Sequence, residues 1–185
     1  MLKYIYPQIP LAELRGMLGY AALGAIVASC YGFLHDQITY TISPEYFLQF
    51  KFHQFAFADF GLPKRLFVGI IGILATWWVG MIGGWVLARR HRSSPPHSSK
   101  RRQILRGFAA VFTIAVLAGL LGYAYGIWRG PNADYRPWES TLRAYQVTDK
   151  YAFIRVAYIH NASYIGGGLG IVMAFLMARP VAATD

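Results

Sequence analysis

The sequence predicts an all-α integral membrane protein: a bundle of four spans with a short amphipathic interfacial helix between the first two. Hydrophobic residues make up 56% of the chain and charged residues only 14%, against about 25% charged in a soluble domain. Four apolar runs, at about 16–34, 66–88, 107–128 and 151–178, are each long enough to cross a hydrocarbon core of ~30 Å at ~1.5 Å per residue. All eight acids fall outside these runs or at their edges. A single membrane domain over 1–185 accounts for the whole chain.

Residues 1–15 form a short amphipathic lead in which Pro7 and Pro10 interrupt any helix. The first span, GMLGYAALGAIVASCYGFL, has no charge. Within it, Val27-Ala28-Ser29-Cys30 has the residue types at which bacterial lipoproteins are cut and lipidated. Further spans follow, whereas a targeting signal normally precedes a soluble body, so Cys30 is expected as a small packing residue. It is the chain's one cysteine, which excludes an intrachain disulfide and a thiolate-pair metal site.

The next stretch, HDQITYTISPEYFLQFKFHQFAF from His35 to Phe57, is the densest run of aromatic and ionisable side chains. Ser43-Pro44-Glu45 reads as a helix start, with a capping hydroxyl, a proline at the first turn and an acid at the positive end of the dipole. The spacing predicts a helix from Pro44 to about Ala58 with Tyr46, Phe50, His53, Gln54 and Phe57 along one face. Phe47, Phe52 and Phe55 add aromatic surface. This helix is too short to cross and suits an interfacial position or a lid over the bundle.

The second span is flanked by Lys64-Arg65 and Arg89-Arg90 and carries Trp77-Trp78 near its middle. Tryptophan prefers the interface, so these indoles are expected as packing bulk against facing glycines. Residues 89–106 hold seven bases (among them Arg89, Arg90, Arg101 and Arg102) and no acid, and read as a flexible polar linker. The third span follows, then a mixed-charge loop at 129–150 with Pro131, Pro137 and Trp138. The fourth span is the least apolar at its start, where Arg155, His160, Asn161, Ser163 and Tyr164 fall, and Arg179-Pro180 ends it.

Small residues at spacing four permit close helix packing in a bilayer. They occur as Gly24, Ala28 and Gly32, as Gly80 and Gly84, as Ala118, Gly122 and Gly126, and as Gly166 and Gly170. Gly19-Tyr20-Ala21-Ala22 echoes Gly107-Phe108-Ala109-Ala110, the pattern of a duplicated helical hairpin. The basic linker places 89–106 in the cytoplasm by the positive-inside rule. Both termini then lie there too, and a bacterial inner membrane is the expected location.

The bases also suit contact with anionic lipid, and the net charge of +10 is no sign of nucleic-acid binding, because it clusters beside apolar spans. If the outer helix ends converge, His35, Asp36, His53 and His160 could hold a metal ion, or two of the histidines a haem iron. Glu45, Arg155, Asn161 and Tyr164 would form a polar cluster nearby. Equally, His160 and Asn161 could simply hydrogen-bond a neighbouring helix, and Arg155 could snorkel to headgroups or pair with Asp36 or Asp149.

The run ITYTISPEYFLQFKFHQF, with HDQ before it and IHNASYIGG later, resembles a group of small four-span bacterial membrane proteins that share an ISPEYF-type outer helix. The resemblance implies the four-span fold and no catalytic residue.

With no nucleophile motif or cofactor fingerprint, the expected function is that of a non-catalytic accessory, assembly or docking component rather than an enzyme. Tyr46, Phe47 and Phe50 would contact lipid, another membrane protein or a second copy. The alternatives are a metal- or haem-binding redox protein using the His/Asp group, and a small transporter or channel.

Overall fold

The computed structural model describes residues 9–91 and 97–177. Four long helices carry the fold: α1 (Leu11–Ile42), α2 (Lys64–Arg90), α3 (His97–Arg129) and α5 (Lys150–Met177). All four are long and apolar enough to cross a membrane, which fits an integral membrane protein. No strand occurs among the described residues. A capping segment, 44–58, joins α1 to α2. A turn at Arg136–Trp138 and the short helix α4 (Glu139–Ala144) join α3 to α5.

Glycine decides which helices pair. A Cβ on Gly24 would overlap the carbonyl of Gly80, one on Gly32 the carbonyl of Gly72, and one on Gly84 the carbonyl of Tyr20. The backbones of α1 and α2 are therefore in direct contact. Thr76 Oγ1 uses this proximity to donate to the Ala28 carbonyl at 2.7 Å. At the far end of the pair, Arg65 Nη1 donates to the Gln37 carbonyl at 3.2 Å while Gln37 Nε2 donates to the Arg65 carbonyl at 2.8 Å. Helices α3 and α5 pair the same way, with Gly119 against Ser163, Gly166 against Ala118 and Gly170 against Val111. Two tight hairpins result, and they meet at both ends of the bundle.

That end holds the larger aromatic core. Tyr46, Phe47, Val68, Leu142, Phe153 and Ile154 are buried together. The opposite end is closed by Met17, Leu87, Ile104 and Ala174.

Several expectations need correction. The first span does not stop at Leu34: α1 runs on through His35 and Asp36 to Ile42. Within the basic linker, α2 extends to Arg90 and α3 starts at His97, so only its middle, 92–96, lies outside the described residues. Pro7 and Arg179-Pro180 also lie outside them. Trp77 and Trp78 turn to the outside of the bundle instead of packing against glycines. Cys30 is likewise on the outside.

The capping segment is helical, but its winding differs from a plain α-helix. Tyr46–Lys51 is a π-helix, in which the Phe52 N–H bonds the Phe47 carbonyl five residues back. An α turn at Phe52–Gln54 and a 3-10 turn at Ala56–Ala58 follow. The wider winding shifts the inward face, so Tyr46, Phe47 and Lys51 are buried while His53, Gln54 and Phe57 point out. Ser43 Oγ accepts the Tyr46 N–H at 3.4 Å, at the expected start.

Glu45 fastens this segment to the other hairpin. Its carboxylate accepts the backbone N–H of Asp149 at 2.8 Å and of Thr148 at 3.1 Å, and the Thr148 hydroxyl as well. Asp149 Oδ1 in turn accepts the Ala152 N–H at 2.9 Å and caps α5. Partial burial acts to raise the Glu45 carboxyl, but the Thr148 hydroxyl and the two N–H groups outweigh it and hold it below the ordinary glutamate range. A depressed folded-state value stabilises the protein above the unfolded value, about 4.3, and the contribution is lost as pH falls through the folded value. Glu45→Ala should therefore lower the melting temperature in detergent by roughly 2–4 °C at pH 7. The deficit should shrink as the pH is taken below about 4. A deficit independent of pH would show that the carboxylate is not the fastening group.

Candidate functional site

The continuation of α1 past Leu34 brings His35, Asp36 and Thr39 onto turns that face α5. From α5, His160, Ser163 and Tyr164 meet them on spacings of three and four, which share one helix face. The two hairpins touch here through polar atoms. His35 Nδ1 lies 3.1 Å from Asp36 Oδ1, and His160 Nε2 lies 3.8 Å from the same oxygen. One ligand-type atom from each of His35, Asp36 and His160 falls within 4.8 Å of the others. The imidazoles are edge to face, with centroids 4.7 Å apart. His160 is 1% exposed and Asp36 4%.

The outward nitrogens are also engaged. His35 Nε2 is 3.3 Å from Ser163 Oγ, and His160 Nδ1 is 3.4 Å from the Tyr164 hydroxyl. Thr39 Oγ1 donates to the His35 carbonyl at 3.0 Å and leaves a lone pair for His160 Nε2 at 3.2 Å. The capping segment seals the group. Tyr46 stacks on the His160 ring at 4.9 Å, and Phe47 meets it at 6.0 Å. Lys51 is buried beside them, with Nζ donating to Gln54 Oε1 at 3.2 Å and lying over the rings of Tyr46, Phe50 and Phe55. Burial pulls its ammonium below the ordinary lysine range, and the Asp36 carboxylate acts in the opposite sense.

Three of the four residues singled out as possible ligands thus come together, and the fourth does not. His53 faces outward on the capping segment, near Tyr145, with ring centroids 6.3 Å apart. Of the polar cluster, Tyr164 joins the group, Asn161 faces outward, and Glu45 is committed to the start of α5. Arg155 lies against Gly126, with its guanidinium over Tyr151 at 4.8 Å and Tyr123 at 5.6 Å. Tyr46 and Phe47 are interior side chains and Phe50 is half-buried, packed on Tyr145 at 5.2 Å. At this end Phe57, Phe60 and Trp128 are rings that face outward, at 75%, 77% and 77% exposed.

Thr39 and Lys51 are the members that sequence reading does not single out, and Ser163 figures there only among the polar residues that open the fourth span. Thr39 lies three residues after Asp36, a signal that appears only once α1 is known to continue.

The donor set fits a single small ion. Ligand atoms about 2.0–2.2 Å from a metal in a tetrahedral shell lie roughly 3.3–3.6 Å apart; the two separations to Asp36 Oδ1, 3.1 and 3.8 Å, bracket that value, while the set as a whole spans up to 4.8 Å, so a bound ion would draw it closer. Metal-bound histidines fix their second nitrogen on a hydrogen-bond partner, and here the partners are Ser163 and Tyr164. Haem does not fit. Two axial imidazoles need about 4 Å between nitrogens, from metal–nitrogen bonds of ~2.0 Å, with a macrocycle between them. These rings touch edge to face, and Tyr46 and Phe47 fill the space alongside.

Burial predicts a clear order of chemical reactivity. In folded protein, diethyl pyrocarbonate should modify His53 readily and leave His160 unmodified until the chain is unfolded, as read by peptide mass mapping. Equal modification of His53 and His160 in folded protein would contradict the sealed arrangement.

No family model, curated protein or solved structure matches the chain.

Proposed function

We propose that this protein is a metal-binding membrane protein that holds one divalent transition-metal ion between its two hairpins, through His35, Asp36 and His160. The observation that carries this reading is the convergence of two imidazoles and a carboxylate inside a helical bundle, with both outward imidazole nitrogens on hydroxyl partners. Ionisable groups within membrane helices are costly and mark functional sites. Two histidines and one carboxylate suit zinc or ferrous iron and leave further coordination positions open. In such a site an ion supplies Lewis acidity or a redox couple. The chain's own residues fix the ligands, exclude bulk water with Tyr46 and Phe47, and place the Lys51 ammonium where it offsets the Asp36 charge.

A second, compatible role belongs to the surface. Phe57 and Phe60 at the capped end favour contact with the lipid interface or a docking partner. At the other end Arg89, Arg101 and Arg102 face outward and would meet anionic headgroups, worth about 1 kcal/mol per base. On this reading the linker end faces the cytoplasm of a bacterial inner membrane, with both termini on that side.

Purified protein, stripped with chelator and titrated with Co²⁺ or Zn²⁺, should take up about one ion per chain. His160→Ala and Asp36→Asn should each abolish stoichiometric uptake. Ser163→Ala should weaken it by roughly 10–100-fold, and His53→Ala should leave it unchanged. Uptake by His160→Ala and Asp36→Asn equal to that of the unaltered protein would refute the site.

A further inference from the structure

A cavity of about 510 Å³ lies between α1 and α3, on the other side of His35 from the carboxylate. Its size suits a small-molecule site, for which ~300–1,000 Å³ is usual. Leu34, Ile38 and Leu120 line it and are 61%, 64% and 58% exposed on the outside of the bundle. The mouth therefore opens sideways, toward the lipid, within helices of spanning length. The walls are apolar and partly aromatic, with Tyr31 and Phe112 edge to face at 5.5 Å and Tyr123 beyond.

The floor is different. His35, Thr39 and Ser163 border it. The Tyr31 hydroxyl is shielded from solvent beside Ser163 but makes no well-formed hydrogen bond. A buried hydroxyl with no partner of good geometry is unfavourable in an apolar setting, and a ligand acceptor would improve on the nearby Ser163. No lining residue is a carboxylate, lysine or arginine.

We propose that this cavity binds an isoprenoid quinone from the bilayer, with a ring carbonyl accepting from Tyr31 and Ser163 and the tail leaving between Leu34 and Leu120. Each part of the chemistry selects against the other lipids at hand. A plain acyl chain has no acceptor for the phenol. A fatty acid would bring a negative charge to a lining that holds no lysine or arginine to pair with it. The flat quinone head is neutral, carries carbonyl acceptors and can pack against the aromatic side chains of the wall. The inference concerns binding alone and does not depend on the metal reading, although His35 borders both places.

The test uses the full chain in phosphatidylcholine vesicles with a tritiated azido-benzoquinone carrying a ten-carbon tail. Photolabelling should fall on peptides covering 31–42 and 112–123, and excess unlabelled decyl-benzoquinone should suppress it. Palmitate and a prenyl alcohol should not compete. Leu120→Trp, which blocks the mouth from an exposed position, should cut labelling about tenfold. Tyr31→Phe should cut it about threefold, the share of one hydrogen bond. Val116→Phe, which fills the cavity from within, serves as the second blocking variant should Leu120→Trp not fold. Uptake of Co²⁺ by the same variants, unchanged, separates loss of the cavity from loss of the metal site. Labelling elsewhere, labelling unaffected by the blocking variant, or equal competition by palmitate or the prenyl alcohol would overturn the proposal.

Discussion

A carboxylate sealed among membrane helices must be met by partners at fixed distances, and Asp36 imposes that requirement on the whole structure. A buried charge left without partners costs several kcal/mol. Here the partners come from three places: His35 beside it on α1, His160 on α5, and Lys51 on the capping segment. His160 ties Asp36 to α5, and the Lys51 charge acts on it from the capping segment. Moving the hairpins apart would strand the carboxylate and both imidazoles in a medium that cannot solvate them, so the polar centre sets how the two hairpins meet.

The rest of the capped end follows from keeping that centre dry. The π-helical turn directs Tyr46, Phe47 and Lys51 to the same side, and Tyr46 covers His160. Glu45, one residue earlier, reaches the first turn of α5. One short segment thus carries the lid, the counter-charge and the fastening. Wider π turns recur at functional sites in helices, and this one differs from an α turn by the inward placement of Lys51. The glycine contacts do the complementary work. They bring the backbones of α1 and α2, and of α3 and α5, into direct contact, and the junction between hairpins is made by the polar group and aromatic lid at one end and by Met17, Leu87, Ile104 and Ala174 at the other.

The fold was legible in the sequence because hydrophobic length and small-residue spacing are properties of single helices. The four spans and most of the small residues at their contacts could be read directly, although Gly72 and Gly119 were not picked out. The limits of α1 were harder. Ile38-Thr39-Tyr40-Thr41-Ile42 is β-branched and alternating, which disguises a helix whose stability comes from packing on α2 and the capping segment. That one boundary concealed Thr39 and the true setting of Asp36. The π winding is invisible for a similar reason, since α spacing groups His53 with Tyr46 and Phe50 on one face and leaves Lys51 off it. The meeting of His35, Asp36 and His160 depends on how two hairpins dock, and no local pattern encodes that.

The proposed metal centre at the junction between the hairpins is built from two imidazoles and one carboxylate. X-ray absorption at the metal edge of Zn²⁺- or Co²⁺-loaded protein tests it most directly. The expected first shell holds nitrogen and oxygen only, at about 2.0–2.2 Å, with the outer scattering of two imidazoles, one of which is lost in His160→Ala. A shell without imidazole scattering, one containing sulfur, or one unchanged in His160→Ala would contradict it.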